Sequence, residues 1–71
     1  MKYIGMLLAI GIVDQIHGNT VTVELSTGDG HHETIELHLM LFPCEIQESE
    51  MFHIIQADGI TEIRCGEPDP A

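Results

Sequence analysis

Basic side chains are nearly missing from this 71-residue chain, which has Lys2 and Arg64 against twelve Asp and Glu residues. A protein that binds nucleic acid needs Lys and Arg to displace counterions from the phosphates, so this shortage argues against DNA or RNA as a partner. It argues equally against an anionic membrane surface. The formal charge of −10 leaves a basic protein, a metal ion or simple solvation of the surface as reasons for the acids.

The charge is also unevenly distributed along the chain. Residues 1–23 contain Lys2 and Asp14 and sum to zero, whereas residues 24–71 contain eleven acids and Arg64, which gives −11 + 1 = −10. A basic protein partner is one explanation of this charge, beside a metal ion and simple solvation of the surface.

Long apolar runs are scarce as well. The longest, Tyr3–Val13, has eleven residues, which is too short to span a bilayer. It contains Gly5 and Gly11, and no cleavage pattern of a signal peptide follows it. We interpret it as a buried strand and expect a cytoplasmic protein that does not associate with membranes.

Cysteine is limited to Cys44 and Cys65, which are too few for a disulfide framework. We predict two reduced thiols that behave as small buried hydrophobic residues, as is usual in the cytosol. A pair of metal ligands and a disulfide are the alternatives, because the spacing does not show whether the two residues approach each other.

Alternating apolar and polar residues predict an all-β chain. The length allows one domain, which we place at residues 1–65. Residues 66–71 are predicted to form a flexible C-terminal tail, because Pro68 and Pro70 cannot take part in a sheet ladder. A core this small predicts help from a partner, a metal or self-association into a homo-oligomer.

The predicted strands cover approximately residues 4–16, 20–25, 32–39, 51–56 and 60–64. Gly11 is expected to let the long first strand bend or bulge. His17-Gly18-Asn19 and Asp58-Gly59 predict turns, and residues 39–42 could form a short helical turn. Five short strands with a long bent first one predict a small five-stranded barrel of the OB or SH3-like kind, in which closure removes exposed edges.

No catalytic pattern is present in the sequence. It lacks a serine nucleophile motif, a glycine-rich phosphate loop and a Cys-x-x-Cys pair. The carboxylates are numerous, but a general acid or base needs burial or a charged partner to adjust its pKa. We therefore expect a protein that is not an enzyme and that uses no cofactor.

The third predicted strand carries a candidate metal site. Residues two apart on a strand share a face at a spacing of about 6.6–6.8 Å, so His32, Thr34, Glu36 and His38 form one outward row, in which Glu36 and His38 are neighbours that could hold one ion. Imidazole and carboxylate ligands suit Zn²⁺, Ni²⁺ or Fe²⁺. The alternative is that these residues are the solvated side of a half-buried strand.

The segment after that strand carries a candidate partner-binding surface. If Leu37, Leu39 and Leu41 point inward, Met40 and Phe42 point outward beside Glu45, Glu48 and Glu50. An apolar patch rimmed by charge is typical of protein-binding surfaces, and Met adapts to varied partners. Burial of residues on both sides of a bend is the alternative.

The order of short motifs resembles the small hydrogenase-maturation chaperones of the HypC/HupF type. Residues 6–13 are similar to the Met-Cys-Leu-Ala-Ile-Pro-Gly start of that family, and residues 15–23 are similar to its Glu-Ile-x-Gly-Asp/Asn hairpin. Residues 48–54 and 59–63 stand where the family has Val-Gly-Asp-Tyr-Val-Leu-Val and Ala-Ile-x-x-Ile. A second bacterial family, with a Leu-Pro-x-Gly-x-x-Glu-Gly-Asp connection, is similar around residues 41–51.

The resemblance implies a small barrel but does not carry over the chemistry of the family. The chaperones hold an iron centre with a cysteine and a histidine. The matching positions here are Leu7 and Ile55, and neither side chain ligates iron.

The function that these observations favour is a non-enzymatic protein-binding module, an adaptor or accessory subunit. A metallochaperone-like accessory protein, as the resemblance implies, is the second hypothesis. An acidic inhibitor that mimics nucleic acid on a basic target is the third.

Overall fold

Five antiparallel strands form one sheet in the computed structural model of the protein, which describes residues 6–68. The strands are β1 (Met6–His17), β2 (Thr20–Ser26), β3 (His32–His38), β4 (Met51–Ala57) and β5 (Ile60–Cys65). The predicted strand ends fall within one residue of these bounds, except the predicted start at residue 4, which lies outside the described residues. The all-β prediction is confirmed.

The strand order is β3-β2-β1-β4-β5, so β3 and β5 are the two ends of the sheet. Within residues 6–68 these end strands do not pair, and the sheet is not closed. β1 lies at the centre because it is long enough to pair twice. Its first half pairs with β4 from Met6 to Ile12, and its second half pairs with β2 from Ile10 to His17.

The bending of β1 occurs beside Gly11 rather than at it. The register with β4 shifts between Leu7 and Ala9, and the register with β2 shifts between Val13 and Gln15. An extra residue on one strand of a pair bends that strand locally. Gly11 has a different role, since a Cβ atom at this position would overlap the ring of Phe52.

Two tight turns confirm the predicted hairpins. Asp58 (φ 54°) and Gly59 (φ 77°) both have positive φ, as a type I′ turn requires. In the turn between β1 and β2, Gly18 has a φ of 58°. The twist of such turns matches that of the flanking strands, so both turns fix the register of the strands they join.

One face of the sheet carries the hydrophobic core. Facing residues in an antiparallel pair lie on the same side, and Val13 faces Val23 while Val21 faces Leu37. The most buried side chains of this core are Val13, Val21, Val23, Phe42 and Phe52. Half-buried residues pack around them: Ile16, Leu25, Ile35, Leu37, Leu39, Ile46, Ile54 and Ile63. Leu37 and Leu39 therefore point inward, as predicted, but Leu41 does not, since it is 56% exposed.

A 3₁₀ turn at Leu39–Leu41 follows β3, as the alternative interpretation of this segment predicted. The chain then runs as a connection, residues 42–50, along the core face of the sheet. Val13 holds its far end, because the Val13 amide donates to the Glu50 carbonyl at 2.9 Å and the Ser49 amide donates to the Val13 carbonyl at 2.7 Å.

The prediction of reduced, buried thiols is wrong. Cys44 and Cys65 form a disulfide with a Cα–Cα distance of 6.6 Å, and both residues are exposed. The cause is the register of β4 and β5, which places Cys65 opposite Phe52 on the core face. Phe42 packs on Phe52. Cys44 follows Phe42 by two residues, so this packing brings Cys44 close to Cys65.

The predicted tail is held at its first residue. The Gly66 amide donates to the Met51 carbonyl at 2.9 Å, and the Gly66 carbonyl accepts a hydrogen bond from the ring of His53 at 2.9 Å. Residues 69–71 of that tail lie outside the described residues. No helix formed by residues 6–68 is long and apolar enough to cross a membrane.

Candidate functional site

An apolar cleft opens between the two ends of the sheet. It has a volume of about 580 Å³, which is within the range of about 300–1,000 Å³ that ligand sites occupy. We call it the end-strand cleft. Its lining comes from β3, β4, β5 and the segment around the 3₁₀ turn: Leu37, Met40, Leu41, Phe42, Pro43, Ile54, Thr61, Glu62 and Ile63.

Phe42 forms part of the floor of the end-strand cleft, and the prediction that it points outward is wrong. Its side chain is 7% exposed, and its ring meets the ring of Phe52 edge to face, with centroids 5.1 Å apart. The prediction assumed that the alternation of a strand continues to residue 42. The 3₁₀ turn replaces it with a repeat of three residues per turn, which puts Leu39 and Phe42 on the same side.

Met40 confirms the outward orientation predicted for it. It is the central residue of the 3₁₀ turn and is 84% exposed, and its neighbour Leu41 is 56% exposed. The turn is fixed at both ends, because the Met40 amide donates to the His38 ring at 3.1 Å and the Phe42 amide donates to the Leu39 carbonyl at 3.2 Å. Two large apolar side chains are therefore held in water at the mouth of the cleft.

The three acids predicted to flank this patch are exposed but do not line the cleft. Glu48 lies near β1, where its carboxylate accepts from the Ile16 amide at 3.4 Å. The carboxylate of Glu50 accepts from the Gln47 amide at 2.9 Å and so closes the end of the connection. Glu45 is adjacent to the disulfide in sequence. None of the three acids therefore joins Met40 in the lining of the cleft.

The residues of the cleft that sequence reasoning missed come from β4 and β5. Ile54 and Ile63 face each other in the sheet and share the floor with Phe42. Glu62 is the one charged residue of the lining among the described residues, but its side chain lies on the other side of the sheet with Ile55, where its carboxylate accepts from Arg64 Nε at 3.2 Å. The alternation of β5 contained the inward position of Ile63, but only the fold shows that β5 approaches the turn after β3.

The predicted metal row is not assembled into a site. His32, Glu36 and His38 are all exposed, as expected of an outward row. His32 and His38 are six residues apart, or about 20 Å along a strand, so they cannot ligate one ion. No group of three or more His, Cys, Asp or Glu residues within 6–68 is placed to hold a metal.

Both histidines of that row have local hydrogen-bond partners. The ring Nδ1 of His32 lies 2.9 Å from Ser26 Oγ, and Nδ1 of His38 accepts the Met40 amide. His38 therefore caps the 3₁₀ turn that presents Met40, a positioning role that the sequence interpretation did not assign to it.

The loop between β2 and β3 contains a carboxylate with a shifted pKa. Hydrogen bonds donated by Thr27 Oγ1 and by the His31 amide hold the pKa of Asp29 below its ordinary value of 3.8. Both bonds favour the ionised form of the carboxyl group. This interaction orders the loop, which lies away from the end-strand cleft.

Comparison with known proteins gives no match: no family model, no curated protein and no solved structure matches the chain. The resemblance to the hydrogenase-maturation chaperones therefore has no support beyond the quoted motifs.

Proposed function

We propose that this protein is a small non-enzymatic protein-binding module, an adaptor or accessory subunit, and that the end-strand cleft is its contact surface. The observation that carries the proposal is the exposure of Met40 and Leu41 at the mouth of an apolar cleft. A folded chain gains free energy by burying such residues, and apolar patches that remain exposed mark interaction sites. Met also adapts its shape to the side chains it meets.

The partner that fits this surface is a protein segment with large apolar side chains flanked by Lys or Arg. The apolar side chains match the lining of the cleft, and the basic residues match a surface with a formal charge of −10. Among residues 6–68, β5 pairs only with β4 and so offers backbone groups along its other edge beside Thr61–Ile63. An extended segment can use such an edge for hydrogen bonds.

We also propose that the end-strand cleft is the open seam of an OB or SH3-like barrel. Leu37 of β3 and Ile63 of β5 line the same cleft although their strands are not paired. The segment of residues 39–43 lies between them. Both residues pack against the core cluster that contains Phe42, so nuclear Overhauser contacts from the methyl groups of Leu37 and of Ile63 to the Phe42 ring are expected, and their absence would contradict this part of the proposal.

The binding proposal can be tested with a library of displayed peptides. Peptides selected on the folded protein should be enriched in large apolar residues next to Lys or Arg. Replacing Met40 by Lys should weaken their binding about 10- to 100-fold, as expected when one large apolar side chain loses its burial. Fluorescence polarisation of the labelled peptides measures this change.

The matched control is Ile12→Lys, which makes the same change of charge on a partly exposed residue outside the cleft. It should leave peptide binding unchanged. Selected peptides without apolar residues, or equal losses in both variants, would contradict the proposal. Binding that vanishes between about 50 mM and about 500 mM salt would instead favour an acidic mimic of nucleic acid, because screening acts on charge and not on apolar contact.

A further inference from the structure

The disulfide between Cys44 and Cys65 lies on the surface of the molecule. Both cysteines are exposed, and they line a cleft of about 250 Å³ together with Met51, at the start of β4, and the residues that follow β5. An attacking sulfur can therefore reach the bond without any opening of the sheet. Exposed disulfides are the ones that exchange readily with other thiols and that serve regulation.

The two cysteines are held very differently apart from the bond between them. Cys65 ends β5, where it pairs with Phe52, and the amide of the next residue donates to the Met51 carbonyl at 2.9 Å. Cys44 lies in the connection, where residues 43–46 make no hydrogen bond with any part of the chain that the structure describes. Within this stretch the half-buried Ile46 packs against the core, and the disulfide is its covalent tie to the sheet.

The connection also has room to move. A cleft of about 550 Å³ lies along it, and its lining consists of residues 42–47 with Leu39. Protein interiors are close-packed, with few voids larger than a water molecule, so a segment beside such a space has few atoms that hold it in place.

Both ends of the connection are fixed independently of the disulfide. At its start, Phe42 packs on Phe52. At its end, the Glu50 carbonyl accepts from the Val13 amide at 2.9 Å. Breaking the disulfide is therefore expected to free the middle of the connection, residues 43–46, and not the sheet.

The stretch that the disulfide holds is joined to the end-strand cleft. Phe42 and Pro43 line that cleft and come directly before Cys44 in the chain. With the bond intact, Pro43 lies between two fixed points, the buried Phe42 ring and the disulfide. Without the bond, Pro43 is fixed on one side only, so this wall of the cleft loses its defined position.

We propose that the Cys44–Cys65 disulfide is a site of reversible thiol–disulfide exchange that controls the end-strand cleft, and this control rests on the binding function proposed for the cleft. The co-reactant is a dithiol. One of its thiolates bonds to one sulfur of the pair, the bond between the cysteines breaks, and the other cysteine leaves as a thiolate and takes up a proton. The second thiol then displaces the remaining cysteine. Two electrons and two protons pass to the protein, and the dithiol becomes a disulfide.

Carboxylates around the disulfide select the charge of that dithiol. Glu45, Glu50 and Glu67 line the same cleft as both cysteines, and the lining contains no Lys or Arg among residues 6–68. An anionic thiol is repelled by these carboxylates, whereas a thiol flanked by Lys or Arg is attracted. The reductant that fits the site is a protein dithiol with basic residues beside its reactive thiol.

Reduction of the wild-type protein with dithiothreitol provides the first test. In the ¹⁵N-labelled protein, the amide NMR signals of residues 44–46 should narrow and shift towards the values of an unfolded chain, while those of β2 and β3 keep their positions. Loss of signal dispersion throughout the sheet would overturn the inference, since the bond would then support the whole fold. Shifts confined to Cys44 and Cys65 would overturn it as well.

Peptide binding provides the second test. Peptides selected on the oxidised protein should bind the reduced protein about 3- to 10-fold more weakly, because the apparent affinity falls with the fraction of chains in which the cleft is formed. The matched control is the Cys44→Ser/Cys65→Ser double variant. It should bind as weakly as the reduced wild-type protein and should not respond to dithiothreitol.

Equal affinities of the oxidised and reduced wild-type protein would overturn the control of the cleft by the disulfide. If no peptide binds the oxidised protein, the proposed function fails, and the amide signals of residues 44–46 together with the ring signals of Phe42 decide this inference alone. The ring signals should shift on reduction, and their constancy would count against the inference.

The charge of the reductant provides the third test, with cysteamine as a cationic thiol and thioglycolate as an anionic one. Raising the salt concentration from about 20 mM to about 500 mM screens the carboxylates, so it should slow reduction by cysteamine and accelerate reduction by thioglycolate. The Glu45→Gln/Glu67→Gln variant should weaken both effects. The control is Glu33→Gln/Glu36→Gln, which removes the same charge from exposed positions of β3 and should leave both effects unchanged. Salt effects of the same sign for the two thiols, or equal changes in both variants, would overturn the assignment of a basic dithiol.

Discussion

Breaking the disulfide between Cys44 and Cys65 is expected to lower the free energy of unfolding by about 3 kcal/mol. The bond joins residues separated by 21 positions. Loop-closure entropy for a loop of this size gives about 3.3 kcal/mol at 25 °C, since the unfolded chain regains conformations that the bond forbids. Both cysteines are exposed, so their replacement by Ser leaves no buried polar group without a partner.

This loss is large for so small a protein. At about 0.05–0.15 kcal/mol per residue, a chain of this length has a total stability of about 4–11 kcal/mol. A loss of about 3 kcal/mol corresponds to a fall in Tm of about 12–24 °C for a domain of this size. The thermal midpoint should therefore move well outside the scatter of ordinary surface variants.

The measurement is urea unfolding followed by far-UV circular dichroism, on the wild-type protein with and without a reducing agent and on the Cys44→Ser/Cys65→Ser double variant. The m-value should rise when the bond is absent, because the unfolded chain exposes more surface. The reducing agent should not affect the double variant, which serves as the control. A change below about 1 kcal/mol on reduction would refute the loop-closure reasoning.

Two further predictions concern the core and the loop between β2 and β3. Gly11→Ala should lower the free energy of unfolding by about 1–3 kcal/mol, because the new Cβ overlaps the Phe52 ring. The control is Gly28→Ala, which has open space around it and should change the free energy of unfolding by less than about 1 kcal/mol. Equal effects of the two substitutions in urea unfolding would contradict this explanation. Since the folded pKa of Asp29 is lowered, its contribution to stability is present above its ordinary pKa and lost as the pH falls through the folded value. A carboxyl-carbon NMR titration checks the direction of this shift, and faster exchange of the His31 amide in Asp29→Ala would report the lost hydrogen bond.

The disulfide is a feature that a local interpretation of the sequence does not predict. Two cysteines alone do not define a framework, and their compartment was inferred from composition. Their proximity depends on three facts that are distant in sequence: the 3₁₀ turn that directs Phe42 inward, the packing of Phe42 on Phe52, and the pairing of Phe52 with Cys65. None of these follows from the spacing of the cysteines.

Phe42 illustrates a different kind of error. Its side chain was assigned by continuing the alternation of β3 past His38, where the strand ends. The segment Leu39–Leu41 changes the period from two to three, which reverses the orientations expected for Leu41 and Phe42. Met40 was assigned correctly because it precedes the point at which the two periods diverge.

The apolar run of β1 was interpreted as a buried strand, but burial in the core explains the residues on only one face of that strand. A central strand between β2 and β4 buries one face in the core, and this explains Val13 and the small residues Ala9 and Gly11. It does not explain Ile10 and Ile12 on the other face. The sequence already contained the excess of apolar residues, but only the register shows that they join those of β4 and β5 in one surface.

Sequence alone determined the strands, their turns and the class of the fold, because side-chain alternation and turn chemistry are local properties that neighbouring residues decide. Tertiary structure decided which strands became neighbours, that the sheet formed by residues 6–68 stayed open, that the cysteines met and that Phe42 turned inward. These features depend on contacts between residues far apart in the chain. Such contacts are settled by packing around Phe52 and not by any short pattern.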